Sequence, residues 1–150
     1  MRSLIVALFP LLLLTGCEKY ALDRQMAKLC KEDGGLTIYE KVQLPADRFD
    51  EKGKVKWWQL PDKKRAEYAD QYGPEYKVEL SSLTIKNGDP VRGQGLLRKL
   101  ELKLIRLSDQ KLMAIQIAYA RSGGDFIYMD HYNSKLCPIT SESLNDVFYK

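Results

Sequence analysis

His131 is the chain's only histidine and stands in Asp130-His131-Tyr132. A hydrolytic base needs a carboxylate to orient it, and an Asp-His pair could offer one. Adjacent residues of a strand point to opposite faces, however, so Asp130 is badly placed to orient His131. The pattern reads as a lone surface histidine. Glu40 is the one acid in an unusual position, because it interrupts the apolar face of its segment. Paired carboxylates could cleave a glycosidic bond, but such a residue is more often an edge position or a salt-bridge partner. No GxSxG, HExxH or phosphate-cradling loop is present. Gly93 and Gly95 do not lead from a strand into a helix, as a dinucleotide fingerprint must. No catalytic constellation results, so the expectation is a protein that is not an enzyme.

The stretch Lys52-Gly53-Lys54-Val55-Lys56-Trp57-Trp58 offers binding rather than catalysis. Lysines beside tryptophans suit a membrane interface, where indoles sit at headgroup level. They also suit stacking on a sugar ring or a protein hot spot. In a strand Trp57 and Trp58 face opposite ways. Val55 and Trp57 share a face, which predicts Trp57 in the core and Trp58 on the surface. Lys52, Lys54, Lys56 and Trp58 are therefore the candidate binding patch, against the plain alternative of core plus surface.

A third set of residues lies at the start of the chain. Met1-Arg2-Ser3 is a short positive lead, and Leu4 to Leu14 is an unbroken apolar run of eleven residues. A spanning helix needs roughly 20 apolar residues, whereas a secretory signal core needs roughly 7–15. Pro10 in the middle of the run also disfavours a permanent helix. Leu14-Thr15-Gly16-Cys17 follows, and it resembles the lipobox of bacterial lipoproteins. That resemblance implies cleavage between Gly16 and Cys17, a diacylglycerol thioether on Cys17 and, in many bacteria, a further acyl chain such as palmitate on the new amino terminus. It makes 1–16 a signal peptide and 17–150 the mature domain. Glu18, where the enteric retention signal would have aspartate, points to the outer membrane on its periplasmic side.

With Cys17 taken by lipid, Cys30 and Cys137 are left as an even pair. In an oxidising compartment such a pair reads as a disulfide; the alternative is two separate buried thiols. The bridge would tie the first helix to the C-terminal segment. One histidine and no spare thiol leave no zinc ligand set, and no cofactor is expected. The whole chain has 24 basic and 20 acidic residues. Loss of Arg2 with the signal leaves a formal charge of +3, which argues for no particular partner and, with the compartment, against nucleic acid.

Periodicity then places these residues on elements. Lys19 to Glu32 reads as a helix with Leu22, Met26, Leu29 and Cys30 on one face, stopped by Gly34-Gly35. It begins almost at Cys17, so no long stalk is expected. Leu36 to Leu44 reads as a strand ended by Pro45, and Phe49 as a plug into the core. Val55 to Leu60 is a short strand candidate, and Pro61 to Tyr72 a short helix. Tyr76 to Lys86 is a strand whose phase shifts at Ser81-Ser82, a plausible bulge. Leu97–Leu107 and Leu112–Arg121 form the clearest hairpin, with alternating apolar residues around the connection Ser108 to Lys111. Phe126 to Tyr132 is a last strand candidate, and Thr140 or Ser141 caps a final helix carrying Leu144, Val147 and Phe148.

The order implies an α+β fold: one antiparallel sheet with an N-terminal helix, a short middle helix and a C-terminal helix, in a single globular domain. The stretch ALDRQMAKLCKEDGGLTIYEKVQLP also resembles the start of small proteobacterial lipoproteins, over about a fifth of the mature chain; no activity comes with that resemblance. The expected function is a membrane-anchored envelope lipoprotein, held by acyl chains on Cys17, acting as an interaction or structural module toward an envelope protein or glycan. The alternative is a peptidoglycan enzyme, or an inhibitor of a wall-degrading enzyme that would plug its cleft with the loop Asp89 to Gly95.

Overall fold

The computed structural model describes residues 15–56, 75–125 and 133–150. One α-helix, α1 (Thr15–Asp33), precedes seven strands: β1 (Gly35–Ile38), β2 (Val42–Gln43), β3 (Tyr76–Lys86), β4 (Leu96–Arg106), β5 (Lys111–Ser122), β6 (Ser134–Cys137) and β7 (Phe148–Tyr149). The expectation of an α+β fold with three helices is thereby corrected to a β-rich fold with one α-helix among the described residues. A five-stranded sheet has the order β1-β5-β4-β3, with β6 beside β5, and a two-stranded sheet joins β2 to β7. β1 and β6 both run antiparallel to β5, along different stretches of it.

The C-terminal helix fails for a local reason. Leu144–Val147 is a 3-10 turn, with Leu144 and Val147 both buried. A spacing of three residues suits that tighter winding. Ser143, not Thr140 or Ser141, is the cap. Its hydroxyl accepts from Asn145 N, and Asp146 Oδ2 accepts from Ser143 N at 2.8 Å. Phe148 then leaves the turn as a strand, opposite Val42 in a parallel pair. The helix expected over Pro61–Tyr72 and the strand expected over Phe126–Tyr132 lie outside the described residues.

α1 is longer than expected but buries the predicted face through Leu22, Met26 and Cys30. The strand expected over Leu36–Leu44 is split. Tyr39 N and Glu40 N both donate to Met113 O, at 2.8 and 3.3 Å, which ends the regular ladder and frees Val42 to pair with β7. Val55 forms an isolated bridge with Phe49, and the rest of the strand expected over Val55–Leu60, from residue 57 on, lies outside the described residues. β3 keeps its expected bounds but runs unbroken through Ser81-Ser82, and Leu80 and Leu83 on it are exposed. The hairpin of β4 and β5 appears as expected, with Gln110 at φ 57° in the connecting turn. β6 and β7 were not anticipated.

The described residues fall into two compact units. The first comprises 15–34, 82–100, 118–125 and 133–139; the second comprises 35–56, 75–81, 101–117 and 140–150. The second unit holds a hydrophobic cluster that includes Phe49, Tyr76, Leu104, Met113, Val147 and Phe148. Tyr76 and Phe148 meet edge to face, with ring centroids 5.0 Å apart. Full burial of an aliphatic side chain such as Leu104 contributes about 1.5–3 kcal/mol. In the first unit α1 packs its apolar face while a disulfide and ion pairs hold its flanks.

Candidate functional site

Gly16 and Cys17 lie in the opening turn of α1. The next two residues bind the helix to the rest of the first unit. Glu18 accepts a hydrogen bond from Gly95 N at 3.3 Å and is ion-paired with Lys86. Lys19 N donates to Gly124 O at 3.1 Å, and Lys19 Nζ pairs with Asp125 Oδ2 at 2.8 Å. A Cβ on Gly95 would run into the Leu22 side chain, so glycine lets the loop sit directly on the helix.

Farther along α1, Cys30 is joined to Cys137 of β6 in a disulfide, with Cα atoms 6.1 Å apart. That distance lies inside the usual range for a bridge. The expected pairing is therefore present, and it ties α1 to the C-terminal part of the chain as anticipated. Beside it, Arg121 on β5 is 1% exposed. Its Nε donates to Asp23 Oδ1 at 2.9 Å, Nη1 to the carbonyls of Gly123 and Asn133, and Nη2 to Asn133 Oδ1. A buried charge this well partnered is held in place rather than offered to a ligand. Asp33, at the end of α1, accepts from Lys99 Nζ and from the Tyr119 hydroxyl at 2.6 Å. The Lys99 hydrogen bond, followed by that of Tyr119, lowers the Asp33 carboxyl below its usual value, while burial raises the Tyr119 phenol.

Neither a known protein family nor a curated protein nor a solved structure matches the chain. Glu40 is a salt-bridge partner: it pairs with Lys111 and with Arg106 Nη1, the latter at 2.7 Å. The Lys111 hydrogen bond, then that of Arg106, lowers its carboxyl. A carboxylate held ionised in this way is poorly suited to donate a proton to a leaving group. Arg106 also grips Asp109 through Nε and Nη2, at 3.0 and 2.6 Å, and drives that carboxyl down to about 2.

The basic stretch forms a tight turn. Asp50 Oδ1 accepts from both Lys52 N and Lys54 N, at 2.9 and 2.7 Å, and Gly53 supplies a φ of 75°. Lys52, Lys54 and Lys56 are exposed while Val55 between them is 2% exposed. Phe49, Asp50, Glu51, Lys52 and Lys56 line an open cleft of about 480 Å³. Lys150, remote in sequence, sits with Nζ 5.6 Å above the Phe49 ring. Trp57 and Trp58, like Asp130 and His131, lie outside the described residues. The patch thus gains Lys150, which no local signal in the sequence could indicate. Among the described residues no group of three His, Cys, Asp or Glu side chains is placed to hold a metal, and no helix is long and apolar enough to cross a membrane.

Proposed function

We propose that this chain is an exported bacterial lipoprotein, anchored by acyl chains on Cys17, whose β-rich body is a non-enzymatic interaction module of the cell envelope. The supporting observation is the fate of the cysteines. Cys30 and Cys137 are joined, which suits an oxidising compartment. The third, Cys17, stands in Leu14-Thr15-Gly16-Cys17 behind an apolar run of signal-peptide length. Each buried methylene of an acyl chain contributes about 0.8 kcal/mol, so two or three chains anchor stably where one holds only marginally. An outer-membrane, periplasm-facing location accords with Glu18. The exposed lysines of 52–56, with Trp58, are the surface offered to an envelope protein or glycan.

Metabolic labelling with radioactive palmitate tests the anchor. The wild-type chain should incorporate label and Cys17→Ala should not, its precursor staying uncut after Gly16. Label that persists in Cys17→Ala overturns the reading. Zymography on peptidoglycan tests the non-enzymatic part: a cleared band at the mass of this protein overturns it.

A further inference from the structure

We propose that the turn Pro90–Arg92 is a membrane-contacting foot: when the acyl chains of Cys17 are in the bilayer, Val91 rests in the headgroup layer of the same leaflet. This rests on the lipid anchor at Cys17. The occupant of the turn is the lipid surface itself, and the reasons are steric.

Lys19 follows Cys17 by two residues, about 3 Å along a helix axis. Both its backbone N and its Nζ are tied to the Gly124-Asp125 turn. Glu18 is tied to Lys86 and to Gly95 N. The start of α1 therefore has no slack with which to hold the first unit away from the bilayer. The 89–95 turn is locked onto this same end of the helix. Gly95 lies against Leu22, a Cβ on Gly123 would stand 2.9 Å from Pro90 Cα, and one on Gly124 would stand 3.3 Å from Lys19 Cα. Following those contacts at about 3.8 Å per chain step puts Val91 within roughly 17 Å of Lys19.

The turn is also stiff. Asp89 Oδ1 accepts from Val91 N, Asp89 O accepts from Arg92 N and Gln94 N, and Gly93 closes the turn at φ 78°. On this frame an aliphatic side chain is displayed to the outside: Val91 is 61% exposed. The neighbouring Arg92 side chain is 82% exposed, with its Nε 3.4 Å from Asp89 Oδ2, and an exposed guanidinium suits lipid phosphate. Tyr20, next to Lys19, is 69% exposed, and tyrosine favours the membrane–water interface.

The experiment uses the full lipidated protein carrying Val91→Cys. Cys30 and Cys137 are bridged and Cys17 is acylated, so position 91 is the single thiol for an environment-sensitive fluorophore. The protein is reconstituted into phosphatidylethanolamine–phosphatidylglycerol vesicles containing headgroup-level nitroxide lipid. A Glu32→Cys sample provides the reference, at an exposed position about 20 Å farther along α1 from Lys19. Quenching at 91 several times that at 32 is expected. Equal, weak quenching at both sites with palmitate incorporation intact overturns the foot and leaves the anchor standing. Failure of the unsubstituted protein to incorporate palmitate or to float with the vesicles overturns the anchor and the foot together. A label at 91 that is unquenched by lipid but becomes buried on addition of lysozyme overturns the foot in favour of a cleft-plugging loop.

Discussion

Arg121 and Asp23 are 98 residues apart in sequence, yet the Nε of one lies 2.9 Å from Oδ1 of the other. The guanidinium is almost fully buried and the carboxylate is only partly so. This pair joins α1 to β5 at a point where an apolar contact would have been the simpler choice. It adds a directed polar bond to the apolar face of α1 in holding the first unit.

Arg121→Ala should lower stability by about 1–3 kcal/mol, because it removes the donor from the acceptors on Gly123 and Asn133 and leaves Asp23 with Lys135 Nζ at 3.9 Å. Arg121→Lys should recover only part of this, since an ammonium cannot serve the several acceptors that the planar fork reaches. Urea unfolding midpoints measure both. A midpoint for Arg121→Ala equal to that of wild type would show that the pair contributes nothing.

Replacing Cys30 or Cys137 by serine should cost about 2–5 kcal/mol. The bridge closes a loop between residues 107 positions apart, so the unfolded chain gains much freedom when it is cut. Maleimide should not label these two cysteines in the oxidised protein and should label both after reduction and unfolding. Full labelling of freshly isolated oxidised protein would refute the bridge.

Acid should weaken the second unit in a defined window. Arg106 draws the Asp109 carboxyl from 3.8 to about 2, and Lys111 with Arg106 lowers Glu40 from 4.5. In both cases the unfolded chain takes up the proton more readily than the folded one. The stabilisation is therefore present in full above about pH 4.5 and is lost as the pH falls toward 2. Melting temperatures should decline across that interval. The double variant Glu40→Gln, Asp109→Asn should show a shallower decline; an identical slope would remove the network from the explanation.

Gly95→Ala should destabilise the protein by about 1–3 kcal/mol through overpacking. The added methyl would overlap Leu22 Cδ1, while Glu18 stays at ordinary contact distance. A second change, Leu22→Ala, should make the alanine at 95 better tolerated, because it removes the atom that is struck. Thermal denaturation of the two single variants and the double variant measures this coupling. Strict additivity would show that the contact is not the cause.

Several features were legible in the residues alone. The helix face Leu22, Met26, Cys30 and the alternation along β4 and β5 are periodic signals, and both elements appear where the periods put them. The pairing of Cys30 with Cys137 was legible by a different route, once the lipobox resemblance had claimed Cys17. The fold class was misread at the C-terminus. Leu144, Val147 and Phe148 match a helical spacing, but four residues suffice for a single turn. Beyond that turn the chain is extended because Phe148 pairs with Val42, more than a hundred positions away.

The sequence by itself determined which faces are apolar, where the signal-like run ends and which cysteines remain to pair. These are properties of side-chain type at short range; burial follows them along α1 through Leu22, Met26 and Cys30 but not along β3, where Leu80 and Leu83 are exposed. Only the tertiary structure decided the partners: β2 with β7, β6 with β5, Arg121 with Asp23, Glu40 with Arg106 and Lys111, and the 89–95 turn with the start of α1. A two-residue strand carries no period to read, and a charged side chain carries no local mark of which opposite charge it will meet. Both are settled when the chain closes long loops and every buried polar group must find its hydrogen bond at once.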